Sequence, residues 1–93
     1  MKRYRKLPVV IEAMQLPVLA DDHDDIWGTI LVWSGARDGR RRTDQGIVPV
    51  LFIDTLEGTM WVGEGDWIVK GVANEFYPVA DRIFRSTYEE VTE

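Results

Sequence analysis

The chain has no cysteine and a single histidine among its 93 residues. The first absence removes disulfides, thiolate nucleophiles and cysteine-ligated zinc together. The second leaves His23 as the sole imidazole, set in the run Asp21-Asp22-His23-Asp24-Asp25. A nucleophilic site places its base beside a Ser, Thr or Cys. Here only carboxylates surround the ring, and a charged helix start is the simpler reading. The same acids lack the glycine turn and distal glutamate of a calcium loop. No apolar run approaches the roughly 18 residues that a membrane span requires. The basic start leads into a segment containing Glu12. A secretory leader would continue into an apolar core and a small-residue cleavage site, so none is expected. "GARDGRRR" lacks the lysine-serine ending of a phosphate loop, and Glu64 and Asp66 only flank a turn. The expectation is a protein with no catalytic set, no metal and no cofactor.

What is present is apolar and aromatic. Hydrophobic residues make up 45% of the chain and include four tryptophans, which supply much burial per residue in a small core. Ninety-three residues form one domain. A domain of this size leaves much of its surface in water. With four tryptophans and an apolar helix stripe to cover, a homo-oligomer is expected. The net charge of −5 argues against general nucleic-acid binding. The charge is uneven, however. Cations cluster at Lys2, Arg3, Arg5 and Lys6 and again at Arg37, Arg40, Arg41 and Arg42, so local patches can hold a small anion.

Alternation across residues 7–16 predicts a strand, with Pro8 near its start. A polar connection with four aspartates precedes a helix over 23–34, capped by Asp22 or Asp24. Its apolar stripe is Ile26, Trp27, Ile30, Leu31 and Trp33, and Gly35 stops it. Residues 35–46 carry three glycines, four arginines and no large apolar side chain, and read as an exposed loop. Strands follow at 48–55 and 59–63, joined by "TLEGT" with Gly58 at the left-handed position. Gly65-Asp66 turns the chain into a hairpin of 66–71 and 75–79, reversing at Ala73-Asn74, with Pro78 favouring a sheet edge. A helical turn at 80–86 and an extended piece with Tyr88 close the chain. The fold class is α+β: about five mostly antiparallel strands, with one main helix on one face. The pattern leaves open whether the sheet curls into a small barrel.

"RKLPVVIEAMQ", "TLEGTMWVGEGDWIVKGVANEFYPV" and "RIFRSTYEEV" together resemble a family of small proteins encoded by phages and prophages. Its members join a Pro-Val-Val-Ile-Glu-Ala strand to a Gly-Asp-Trp turn-strand, a Glu-Phe-Tyr-Pro return and a Tyr-Glu close. The likeness covers residues 1–16 and about 53–91. Asn74 stands where the family often has glycine, and Val79 where it often has cysteine; residues 17–46 fall outside the pattern. The resemblance implies phage origin, the cytoplasm of an infected or lysogenic bacterium, and no established enzymatic activity.

Lys70 is the only cation between positions 43 and 81 and sits in the most aromatic region. It snorkels, pairs with Glu75 across the hairpin, or faces a pocket. Trp61 and Trp67 are expected on neighbouring strands. A nucleotide would use an aromatic face for its base and Lys or Arg for its phosphate. The candidate site is therefore Trp67, Lys70 and Tyr77, with Arg40, Arg41 and Arg42 closing over it. The corresponding function is non-catalytic capture of a small phosphate-bearing molecule, a nucleotide signal of host defence. The alternative is a protein-interaction module or virion accessory protein.

Overall fold

Two of the turns are built from the same four-residue device. In Thr43-Asp44-Gln45-Gly46 the threonine hydroxyl accepts from the Gln45 N–H at 3.1 Å and donates to the Gly46 carbonyl at 3.0 Å. In Thr55-Leu56-Glu57-Gly58 the corresponding distances are 3.1 and 2.7 Å. Both glycines have positive φ, 107° and 114°, a region that glycine enters without steric cost. The computed structural model, which describes residues 1–18 and 24–92, shows what these turns connect. Strands β2 (Arg37–Thr43), β3 (Gly46–Thr55) and β4 (Gly58–Gly63) form a three-stranded antiparallel meander with β3 in the middle.

Residues 37–43 were expected in an exposed loop, and the structure corrects this. The run Arg37–Thr43 is an edge strand, in register from Arg37↔Phe52 to Thr43↔Gly46. A polar strand with no apolar alternation is stable here because its neighbour β3 supplies the burial. Its backbone needs only one partner, and charged side chains suit a sheet edge.

A second antiparallel sheet has the order β1-β5-β6, made of β1 (Glu12–Gln15), β5 (Trp67–Lys70) and β6 (Phe76–Val79). The β5–β6 hairpin reverses as expected, with Asn74 at φ 64° and its N–H bonded to the Gly71 carbonyl. Pro78 lies on an edge strand of this sheet. The first strand is shorter than the expected 7–16. The ladder begins at Glu12↔Lys70 because β5 turns away at Gly71, which leaves residues 7–11 without a partner strand. At its other end, backbone bonds Leu16 N–H to Asp66 O and Gly65 N–H to Leu16 O prolong the pairing.

Helix α1 (Asp24–Ser34) lies where the apolar stripe placed it. His23 and the expected cap at Asp22 lie outside the described residues. Gly35 ends the helix at φ 69°, its N–H bonded to the Leu31 carbonyl. The core joins both sheets to this helix: Leu16 and Ile68 from the first sheet, Leu51, Ile53 and Val62 from the second, and Trp27 and Ile30 from α1. Two aromatic contacts fix the helix further. Trp27 donates its indole N–H to Asp38 on β2 at 2.7 Å, and Trp33 meets Phe76 edge-on at 5.1 Å.

A second helix, α2 (Asp81–Thr87), covers the other face of the first sheet. The architecture is thus α+β with six strands in two antiparallel sheets and two helices, where about five strands and one main helix were expected. The sheets do not close into a barrel. No helix among the described residues is long and apolar enough to cross a membrane.

Candidate functional site

Alternation along β5 and β6 puts Trp67, Val69, Tyr77 and Val79 on the face that α2 covers. Trp67 is held there by two contacts. Its ring stacks on Phe84 at 3.8 Å and 8°, and its indole N–H donates to Asp81 Oδ1 at 2.8 Å. The same oxygen accepts from Gln15 at 3.2 Å and from Arg85 Nε at 2.9 Å. Asp66 in turn accepts the Asp81 backbone N–H at 3.0 Å. The Trp67 hydrogen bond, followed by that of Arg85, holds the Asp81 carboxyl below the usual carboxylate range. The Gly-Asp-Trp segment is therefore a clamp that fastens α2 to the sheet.

Tyr77 brings its hydroxyl to 3.4 Å from that of Tyr88. Burial, then the Tyr88 hydrogen bond, pushes the Tyr77 phenol up to about 12. Lys70 does not pair with Glu75 across the hairpin. Its ammonium lies 3.9 Å from Glu12 on β1 and 5.9 Å from the Phe76 ring centroid. The Glu75 carboxylate instead folds over Gly71, where a Cβ would collide with it, and its Oε2 is buried without a hydrogen-bond partner.

The arginines lie on the other sheet. Arg40 and Arg42 alternate with Arg41 along β2, so they point to the side of β2 opposite from it. Arg37, Gly39 and Arg41 share the outer face with Val48, Val50, Phe52 and Asp54 of β3 and with Thr59, Trp61 and Gly63 of β4. On this face Arg37 grips Asp54 with two bonds of 2.7 and 3.1 Å, and Thr59 donates to the same carboxylate. Arg37, then Thr59, holds the Asp54 carboxyl below its usual range. The Arg41 guanidinium lies 3.9 Å over the Trp61 ring. Phe52 lies flat across Gly39, where any Cβ would strike its ring, and Trp61 leans over Gly63. The missing side chain at Gly39 thus lets the Phe52 ring fold down onto the sheet beside Val50, while a Cβ at Gly63 would make only ordinary contact with Trp61. Val50 is fully buried although it stands apart from the central core.

Trp61 and Trp67 were expected on neighbouring strands, and this too is corrected: they belong to different sheets. Three clefts among the described residues divide the expected site residues further. Trp67 lines one of about 490 Å³ together with Val9, Phe84, Tyr88, Glu89 and Glu90. Tyr77 lines a second of about 300 Å³ with Glu57 and Glu75. A third of about 410 Å³ runs beside Trp61 and is bordered by Asp44 and Glu64. Lys70, Arg40, Arg41 and Arg42 line none of the three.

Compared with known protein families, curated proteins and solved structures, the chain matches none. The site must therefore be judged on its own geometry. The pair that meets the chemical requirement of an aromatic face beside a cation is Arg41 with Trp61. Sequence reasoning placed Arg41 in the site but left out Trp61 and Phe52. The signal that would have found them is the repeated Thr-x-x-Gly turn, which makes 37–63 a meander and lays Arg41, Val48 and Trp61 across one face.

Proposed function

We propose that this protein binds a small planar anion, a nucleotide, without transforming it, on the outer face of the β2-β3-β4 sheet. The observation that carries the reading is the Arg41 guanidinium 3.9 Å over the ring of Trp61, a residue that remains 44% exposed. Among the described residues Arg41 has no carboxylate partner, so its N–H edge is available to a phosphate. Phe52 extends the aromatic surface beside Trp61. Arg41 covers one face of Trp61, so a base would stack on the outer side of the guanidinium or on Phe52; stacking on an aromatic contributes roughly 1–3 kcal/mol per base. Arg40 and Arg42 add positive potential from the far side of the strand. Asp44 and Glu64 border the adjoining cleft and disfavour a phosphate there. The reading thus centres on Arg41 and Trp61 in place of Trp67, Lys70 and Tyr77. In a phage-infected bacterium such a protein would hold a nucleotide signal of host defence in the cytoplasm, away from its receptor.

The test is titration calorimetry with a panel of mono-, cyclic and dinucleotides, followed by Trp fluorescence. Arg41→Ala is expected to weaken binding by about 1.5–3 kcal/mol, the range of a hydrogen bond to a charged group. Trp61→Ala should weaken it comparably, and Lys70→Ala should leave it unchanged. No heat with any member of the panel would end the nucleotide reading.

A further inference from the structure

Two segments that belong to no helix or sheet face a common cleft. Residues 1–11 leave the first sheet at Glu12 with no ladder partner, and Tyr4, Leu7 and Val10 stay 90%, 77% and 77% exposed. This segment carries Lys2, Arg3, Arg5 and Lys6 and no acid. Residues 88–92 also run outside any sheet, beginning with Tyr88 at φ −124° and ψ 152°. They carry Glu89 and Glu90, both exposed, and no cation. The 490 Å³ cleft is lined by residues 9–11 of the first segment, residues 88–91 of the second, and the stacked rings of Trp67 and Phe84.

A slot between segments that pair with no strand can accept a further chain in extended conformation by strand addition. Apolar walls with a carboxylate rim select a chain that is both apolar and basic. Residues 1–7 have that composition, with a pair of cations on each side of Tyr4 and Leu7 at the end. Within one chain Lys6 lies 4.8 Å over the Tyr88 ring, so an incoming arm takes this place by exchange with the chain's own Lys6. We infer that the slot takes residues 1–7 of a second copy of this chain, reciprocally, giving a two-fold dimer. This surface is separate from the Arg41–Trp61 face, so the inference stands or falls independently of the nucleotide reading.

Charge reversal in trans tests it. One variant carries Glu89→Lys and Glu90→Lys. The other carries Lys2→Glu, Arg3→Glu, Arg5→Glu and Lys6→Glu. All six side chains lie on exposed residues. Circular dichroism matching the unmutated protein confirms that each variant folds. Light scattering of the full chain should give a mass near twice 10.7 kDa at tens of micromolar, falling toward 10.7 kDa as salt is raised. Each variant alone should be monomeric, because each pairs like charges in both slots. An equimolar mixture should regain the doubled mass, since both slots of the mixed dimer are then complementary. A monomeric unmutated protein overturns the inference. So does a dimer that persists in both variants, or two monomeric variants that fail to pair. A monomer that binds a synthetic peptide of residues 1–11 at the cleft also overturns it, and assigns the slot to a basic segment of another protein.

Discussion

Asp81 receives bonds from Trp67, Gln15 and Arg85, while its backbone N–H is taken by Asp66. Its carboxyl is held low in the folded chain, so it contributes stability that is present above the unfolded value of 3.8. That contribution disappears as pH falls through the lower folded value. Asp81→Asn should therefore be less stable than the unmutated chain at neutral pH, and urea melts at decreasing pH should show the difference closing below about pH 4. Tyr77 works in the opposite direction. Its phenol is pushed from 10.0 up to about 12, so the fold favours the protonated form. The stability it adds is complete below pH 10.0 and is lost as pH rises toward 12. An ultraviolet titration should show a phenol ionising near 12 that is missing in Tyr77→Phe. A late phase that persists in Tyr77→Phe would assign it to another group.

At the scale of elements, two positions separate glycines required by conformation from a glycine that is not. Gly58 closes the β3–β4 turn at φ 114°, so Gly58→Ala is strained whatever space surrounds it. A cost of about 1–3 kcal/mol is expected. Gly28 lies inside α1, and a Cβ there would meet nothing within 4 Å. Gly28→Ala should raise stability by about 0.5–1 kcal/mol, since alanine loses less backbone entropy in a helix. Thermal melts of the two variants should move in opposite directions. A destabilised Gly28→Ala would mean that the helix is not packed as described, and a stabilised Gly58→Ala that the turn does not depend on its positive φ.

Across the whole molecule, the two sheets share one core through Leu51 and Ile68, both fully buried. Leu51→Ala and Ile68→Ala sit on different sheets, and each should cost about 2–5 kcal/mol. A common core also requires a single transition. Urea unfolding followed by tryptophan fluorescence and by circular dichroism should give coincident curves for the unmutated chain and for both variants. A variant that melts one sheet while the other persists would show that the sheets are independently stable.

Local chemistry alone determined much of this structure. The stripe from Ile26 to Trp33 specifies α1, Asn74 and Gly58 specify their turns, and alternation specifies the β5–β6 hairpin, because each depends on the backbone preferences of a few consecutive residues. Residues 37–43 show where such reasoning ends. Nothing apolar in RDGRRRT signals a strand, and the segment is one only because β3 lies alongside it. The pairing β1–β5 joins residues more than fifty positions apart, and a turn after Lys70 decides how far β1 extends. The same holds for the candidate site. Aromatic residues and arginines are legible as types, but their partners are set by register: Arg41 meets Trp61 while Trp67 is drawn into the Asp81 clamp. Residue type determined which chemistry this protein carries. Tertiary pairing decided which groups meet, because contact between distant residues depends on the packing of whole sheets and leaves no period in the sequence.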